Sequence, residues 1–134
     1  MSVTIYHNPN CGTSRNTLEM IRASGVEPEV IEYLQAGWTE DLLRSLSKRI
    51  GVPLKALLRE SGTPAEELGL LSDEVSEASL LKAMILHPIL VNRPIVVSDK
   101  GANLCRPSEL VLKLLDSPVE AFTKEDGEVV KLHN

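Results

Sequence analysis

Only two cysteines occur in the 134 residues, Cys11 and Cys105, and they form no C-x-x-C pair. A disulfide framework needs several bridged pairs, so both thiols are expected to be reduced, in a reducing, cytoplasmic setting. The three histidines, His7, His87 and His133, are scattered, so no metal site is expected. No apolar run reaches the ~20 residues of a membrane span, and the chain does not start with the basic-then-apolar order of a secretory signal. Positive charge is scarce too: 14 Lys and Arg stand against 19 Asp and Glu, for a formal net charge of −5. That balance argues against a nucleic-acid or acidic-membrane partner, so any bound anion must be met by a local group of basic residues. Repeats, low-complexity tracts and dividing linkers are also missing, and 43% apolar residues suffice for one domain with its own core.

What is present reads as strands and helices in a definite order. Val3-Thr4-Ile5-Tyr6 is β-branched and aromatic, and Arg15 to Arg22 carries apolar residues at helical spacing up to a stop at Gly25. A second extended segment at Glu29 to Tyr33 completes β-α-β, a crossover that places the two strands in parallel. About sixty helical residues follow. Thr39 is an N-cap for a helix ending at Gly51, Leu54 to Arg59 forms a further stretch, and Thr63-Pro64-Ala65-Glu66 is a capping box expected to open a short helix. Ser76-Glu77 opens the last helix of the block, which stops at His87-Pro88. Ile95-Val96-Val97, a turn at Asp99-Lys100-Gly101, and Ala102-Asn103-Leu104 form a hairpin pattern, and Pro107 opens a final helix through Leu115. The expected fold is α/β: a four-stranded mixed sheet with packed helices, of thioredoxin type. It spans 1–134 as one domain, with an all-helical insertion at about 36–90 and a loosely held polar tail at about 123–134.

Cys11 falls where the first strand turns into the first helix. Unpaired N–H groups and the positive end of the helix dipole converge there, favouring thiolate over thiol and offering a place for an oxyanion. Ser14 occupies the position at which a local disulfide partner would stand, so Cys11 reads as a nucleophile without a resolving thiol, with a buried structural cysteine as the alternative. His7 either promotes ionisation of that thiol or is a polar strand end. His87 reads as structural, and His133 lies in the tail. Cys105, closing a hairpin strand, reads as a buried or half-buried thiol, with a resolving cysteine as the other reading.

Three arginines stand at junctions: Arg59 near a helix end, Arg93 before Pro94 and Arg106 before Pro107. A single such arginine would be an ordinary surface charge. Two Arg-Pro pairs flanking one hairpin point instead to loops that face the Cys11 strand. A guanidinium presents a planar fork of donors, always charged, that suits a tetrahedral oxyanion. Pro94 opens a strand, where a cis bond would be a deliberate feature; the residues alone leave its isomer open.

With Cys11-Gly12-Thr13-Ser14-Arg15-Asn16, Asn92-Arg93-Pro94-Ile95-Val96-Val97 and Leu104-Cys105-Arg106-Pro107-Ser108-Glu109 in view, the chain resembles the glutaredoxin-coupled arsenate reductases of the ArsC type. The likeness runs from Tyr6 through Gly127 and departs between Gln35 and Asp41 and in the short tail. The resemblance implies Cys11 as nucleophile, Arg59, Arg93 and Arg106 as the oxyanion-binding group, His7 and Ser14 as supports of the thiolate, and a cis bond before Pro94. It also implies arsenate as substrate, glutathione as co-substrate, glutaredoxin as partner and no bound cofactor. In that chemistry a Cys11–arsenic adduct is resolved by glutathione, leaving a Cys11–glutathione mixed disulfide.

Two other functions fit parts of the chain. A general glutathione-dependent thiol oxidoreductase would use Cys11 but has no need of the arginines. A redox-sensing regulator that binds RNA polymerase wants two adjacent thiols, and Ser14 removes one. Phosphate resembles arsenate in shape and charge, yet a phosphatase would want a proton donor for its leaving group that the sequence does not offer.

Overall fold

Strand β1 (Val3–His7) lies inside a four-stranded sheet of order β2-β1-β3-β4, with β2 at Glu29–Glu32, β3 at Ile95–Ser98 and β4 at Gly101–Leu104. The computed structural model describes residues 1–117 and 120–131, and His133 lies outside them. β1 runs parallel to β2 and antiparallel to β3, and β3 and β4 form the hairpin. The sheet is thus mixed, as expected from the element order. Helix α1 (Gly12–Ala23) makes the crossover from β1 to β2. The loop between β3 and β4 is only Asp99-Lys100, and Gly101 takes φ 141°, a conformation that costs a residue without Cβ little.

Alternation along the strands sends Val3, Ile5 and Val96 into a core with Leu18, Met20 and Ile21 of α1. Val111, Leu112, Leu114 and Leu115 close that core from the segment after β4. This segment, expected to be an α-helix, is a 3₁₀ helix at Ser108–Leu114. Ser108, Val111 and Leu114, all buried, recur at the three-residue spacing of such a turn, with Leu112 buried beside them, and the segment packs against α1.

The polar stretch from Thr123, expected to be loosely held, is ordered through Lys131. β5 (Ala121–Thr123) pairs antiparallel with β6 (Val129–Lys131), and Lys124 and Gly127 close the turn with backbone hydrogen bonds. Phe122 of β5 and Val130 of β6 pack against the α1 core. Strands of three residues leave no periodic pattern in the sequence, yet these two side chains suffice once they face the same core. Lys124 Nζ also reaches Glu109 at 3.0 Å, tying the turn to the 3₁₀ segment.

These elements make one compact unit, Met1–Glu32 with Arg93–Asn134; the second is Tyr33–Asn92. The second holds α2 (Tyr33–Ala36), α3 (Glu40–Ile50), α4 (Glu77–Leu86) and two short 3₁₀ turns, Leu54–Leu57 and Pro88–Leu90. Thr39 Oγ1 accepts from Leu42 N–H, Ser76 Oγ accepts from Ser79 N–H, and Gly51 ends α3 at φ 83°. The helix expected after Thr63 is absent, and turns occupy residues 61–74. Thr63 Oγ1 spends its acceptor on Ala65 N–H and its proton on the Arg59 carbonyl, so the capping geometry never forms. Only Ala65 and Leu70 are buried there, too few to hold a helical face against the core. Tyr33 stacks on Trp38 at 5.3 Å, and Trp38 Nε1 donates to the Pro88 carbonyl at 3.2 Å. No helix among the described residues is long and apolar enough to cross a membrane.

Candidate active site

Cys11 is the N-cap of α1, in extended conformation at φ −108°, ψ 120°, and 6% exposed. Its backbone N–H bonds the Asn8 carbonyl at 3.1 Å, and Asn8 Oδ1 accepts the Asn10 N–H at 2.9 Å. The loop is thus wound on itself before the helix begins. As the N-cap residue, Cys11 holds its sulfur at the helix start, where a capping oxygen would face the first-turn amides. Burial pushes the Cys11 thiol up. It is outweighed by the Ser14 backbone N–H donated to sulfur, the Arg93 charge, and the hydrogen bond and charge of Arg106, and the net shift is downward.

Arg106 Nη1 lies 3.7 Å from Cys11 Sγ and donates to the Arg93 carbonyl at 3.0 Å. The second contact aims the guanidinium. Arg93 precedes β3 and Arg106 follows β4, so the hairpin register of Ile95 with Leu104 brings the two loops together. The peptide bonds Arg93–Pro94 and Arg106–Pro107 are both cis; the residues alone had left the first open and gave no sign of the second. The Pro94 carbonyl accepts from Cys105 N–H at 2.8 Å, and Pro94 is buried. Arg59 belongs to the other unit. There its backbone N–H bonds Leu90 O, its Nε donates to Ser61 O at 2.9 Å, and its guanidinium passes beside Gly62.

His7 does not bond the sulfur. Its Nδ1 meets Ser14 Oγ at 2.6 Å, and the same oxygen accepts Asn8 N–H at 3.0 Å. The Ser14 hydroxyl has a proton and a second lone pair left for Nδ1, so it donates to the ring or accepts from it according to the tautomer. Burial, ahead of the opposing pull of Glu32 and with help from Arg22 and Arg15, holds the His7 pKa below its ordinary value and so disfavours the charged ring. Ser14 serves the thiolate through its backbone amide, while its side chain fastens the strand end to the helix. Cys105 lies in the core, fully buried, with its pKa pushed up to about 12 by burial, which leaves an inert thiol rather than a resolving one.

The sequence reading passed over Arg15 and Glu125. Arg15 Nε and Nη2 grip the Glu125 carboxylate at 2.8 and 2.9 Å, and Nη1 donates to the Pro9 carbonyl at 2.8 Å. A pair 110 positions apart leaves no local signal. Asn8 was legible in principle, because an Asn-Pro dipeptide marks a turn that its side chain closes. Among the described residues no group of three or more His, Cys, Asp or Glu is arranged to hold a metal ion.

A buried thiolate at a helix start, flanked by guanidinium donors, can attack an electrophilic centre that carries anionic oxygens. The comparisons with known proteins agree with that chemistry. A profile described as ArsC family matches residues 6–114. An arsenate reductase of Escherichia coli is 56% identical over 130 residues, covering 96% of this chain and 92% of that protein. One of Yersinia enterocolitica is also 56% identical, with the same coverage. The solved structure of an arsenate reductase from Vibrio cholerae superposes with a TM-score of 0.82 at 40% identity, over 86% of this chain and 98% of that one. With its thioredoxin-like sheet, its cysteine-headed first helix and these relatives, the chain belongs to the ArsC family.

Proposed function

We propose that the chain reduces arsenate to arsenite in the cytoplasm, with glutathione as co-substrate and glutaredoxin as the partner that restores Cys11. The observation that carries this reading is the Cys11 sulfur at the head of α1, 3.7 Å from Arg106 Nη1, under the Arg93 charge, with a serine where a resolving thiol would stand. A thiolate and an arsenate dianion repel each other. At ~4 Å two unit charges cost about 4 kcal/mol at an effective dielectric of ~20, which Arg93, Arg106 and the helix amides offset. Arg59 is the third cation that the family resemblance, rather than the geometry, assigns to this group.

In the first step the Cys11 sulfur forms a bond to arsenic and an oxygen leaves as water after protonation. A glutathione thiolate then attacks the Cys11 sulfur. The electron pair of the sulfur–arsenic bond passes to arsenic, which departs as arsenite, and the two sulfurs are left as a mixed disulfide. Glutaredoxin takes up the glutathione and frees the Cys11 thiolate. His7 and Ser14 hold the strand end and the first turn in register throughout, and Pro94 fixes the Arg93 loop.

The test is NADPH consumption coupled through glutathione reductase, glutathione and glutaredoxin, with and without arsenate. Arsenate-dependent consumption is expected from the native protein and none from Cys11→Ser, since a hydroxyl is a far weaker nucleophile at neutral pH. A folded protein with a reactive Cys11 that reduces small disulfides but ignores arsenate would overturn the proposal in favour of a general thiol oxidoreductase.

A further inference from the structure

The hydrogen bonds at Pro9, Arg15, Asn16 and Glu125 form a chain that ends at the nucleophile loop. Pro9 has no N–H, so its carbonyl is its sole backbone means of anchorage, and Arg15 Nη1 holds it at 2.8 Å. The neighbouring loop groups are tied within the loop and to α1: Asn8 O to Cys11 N–H, Asn8 Oδ1 to Asn10 N–H, and Asn8 N–H to Ser14 Oγ. Arg15 is therefore the side chain that braces the crest of the turn from outside. Its aim is set in turn by Glu125, which occupies both Nε and Nη2 in the two-pronged geometry that fixes a guanidinium in plane and direction. Glu125 is itself placed: its backbone N–H donates to Asn16 Oδ1 at 3.0 Å, and the turn that bears it is fastened by Lys124 to Glu109 and by Phe122 and Val130 to the core.

We propose that Arg15 and Glu125 are positioning residues for Cys11, through which the C-terminal hairpin sets the loop that aims the thiolate at its donors. The inference rests on the reading of Cys11 as the nucleophile and extends it to a part of the chain that touches no reacting atom. A solvent-exposed pair of this kind adds little to global stability. Its role here is local: Pro9 is two residues from Cys11, and a displacement near 1 Å of a reacting group can cost on the order of a hundredfold in rate.

Sign separates this role from a simple field effect. The charged groups around Cys11 are Arg93 and Arg106 on the hairpin loops and Arg15 on α1, while His7, whose charged form burial disfavours, is bonded to Ser14. Glu125→Ala removes a negative charge next to Arg15. If only the field mattered, the Cys11 thiolate would be favoured and its titration midpoint would fall. If positioning matters, the Ser14 amide and Arg106 lose their alignment on sulfur and the midpoint rises.

The experiment is the pH dependence of Cys11 alkylation in the whole protein, read by mass at Cys11, for the native chain, Glu125→Ala, Arg15→Ala and the double variant. Arg44→Ala, which removes two exposed ion pairs in the helical unit, is the control. A rise of about half a pH unit is expected in each single variant, with the double variant no higher than Arg15→Ala because Glu125 acts through Arg15. Glu125→Asp, which keeps the charge and a shortened reach, should recover part of the shift. An unchanged or lowered midpoint in Glu125→Ala, with circular dichroism matching the native protein, overturns the proposal, as does additivity in the double variant. Alkylation reads the thiol without arsenate, so a protein that fails to reduce arsenate would still decide this question.

Discussion

Cys11 and Cys105 are both buried, yet their surroundings push them in opposite directions. Cys11 has amide and guanidinium donors aimed at its sulfur, whereas the Cys105 thiol meets the Asn103 carbonyl, 3.7 Å away, inside the core. In the native protein a thiol reagent at neutral pH should therefore consume one equivalent rapidly and the second only after denaturant is added, as followed by absorbance. Two fast equivalents would refute the burial of Cys105. Arg106→Ala removes a charge-assisted hydrogen bond of about 1.5–3 kcal/mol, so the Cys11 midpoint should rise by about one pH unit or more. The same variant should slow arsenate turnover by roughly tenfold or more in steady-state kinetics. At this scale the sequence was informative where function depends on neighbours in the chain: a thiol between strand and helix signals needs no tertiary knowledge. The flanking groups were less legible. Arg93 and Arg106 stood out only through their shared Arg-Pro pattern, and the Arg15 to Glu125 pair carried no pattern at all.

Among the elements, those with caps and long periods were legible: β1, α1, α3, α4 and the β3–β4 hairpin are all announced by residues within a few positions of their ends. The segments that escaped have short periods or a competing local bond. The 3₁₀ segment Ser108–Leu114 carries apolar residues that fit a helix of either pitch, and Thr63 has a hydroxyl that serves a turn as well as a cap. β5 and β6 are three residues each, below the length at which alternation can be read. Their worth lies in Phe122 and Val130. Phe122→Ala should lower stability by about 1–3 kcal/mol, below the 3–5 typical of a fully buried phenylalanine because the ring is only partly covered. Denaturant melts would measure it, and a change under 0.5 kcal/mol would mean the hairpin is not part of the core. Gly51, at φ 83°, should cost about 1 kcal/mol when replaced by Ala, since Cβ is disfavoured there.

For the molecule as a whole, the buried ionisable groups set how stability follows pH. Cys105 is held up to about 12 in the folded state and has an ordinary value near 9 when unfolded. Between those values the unfolded chain has lost a proton that the folded chain keeps, so unfolding becomes progressively easier as pH climbs through that window. Tyr6, raised by burial and by Glu29, acts in the same direction above its ordinary value of 10.0. Cys11 acts the other way: its depressed folded value adds stability that is present above the unfolded pKa and is lost as pH falls through the folded one. Denaturation midpoints should accordingly decline from about pH 9 upward, and Cys105→Ala should flatten that decline even though it also lowers the plateau by opening a small void.

The stacked Tyr33 and Trp38 give the chain an optical property that its chemistry does not need. Trp38 is the sole tryptophan, 5% exposed, and it sits in the Tyr33–Asn92 unit, while both thiols sit in the other. Emission excited at the red edge of the indole band reports on the helical unit alone, and thiol accessibility reports on the sheet unit alone. The molecule thus carries two native probes with no overlap, and comparing their melting curves reveals, without any added label, whether its two parts lose structure together or in turn.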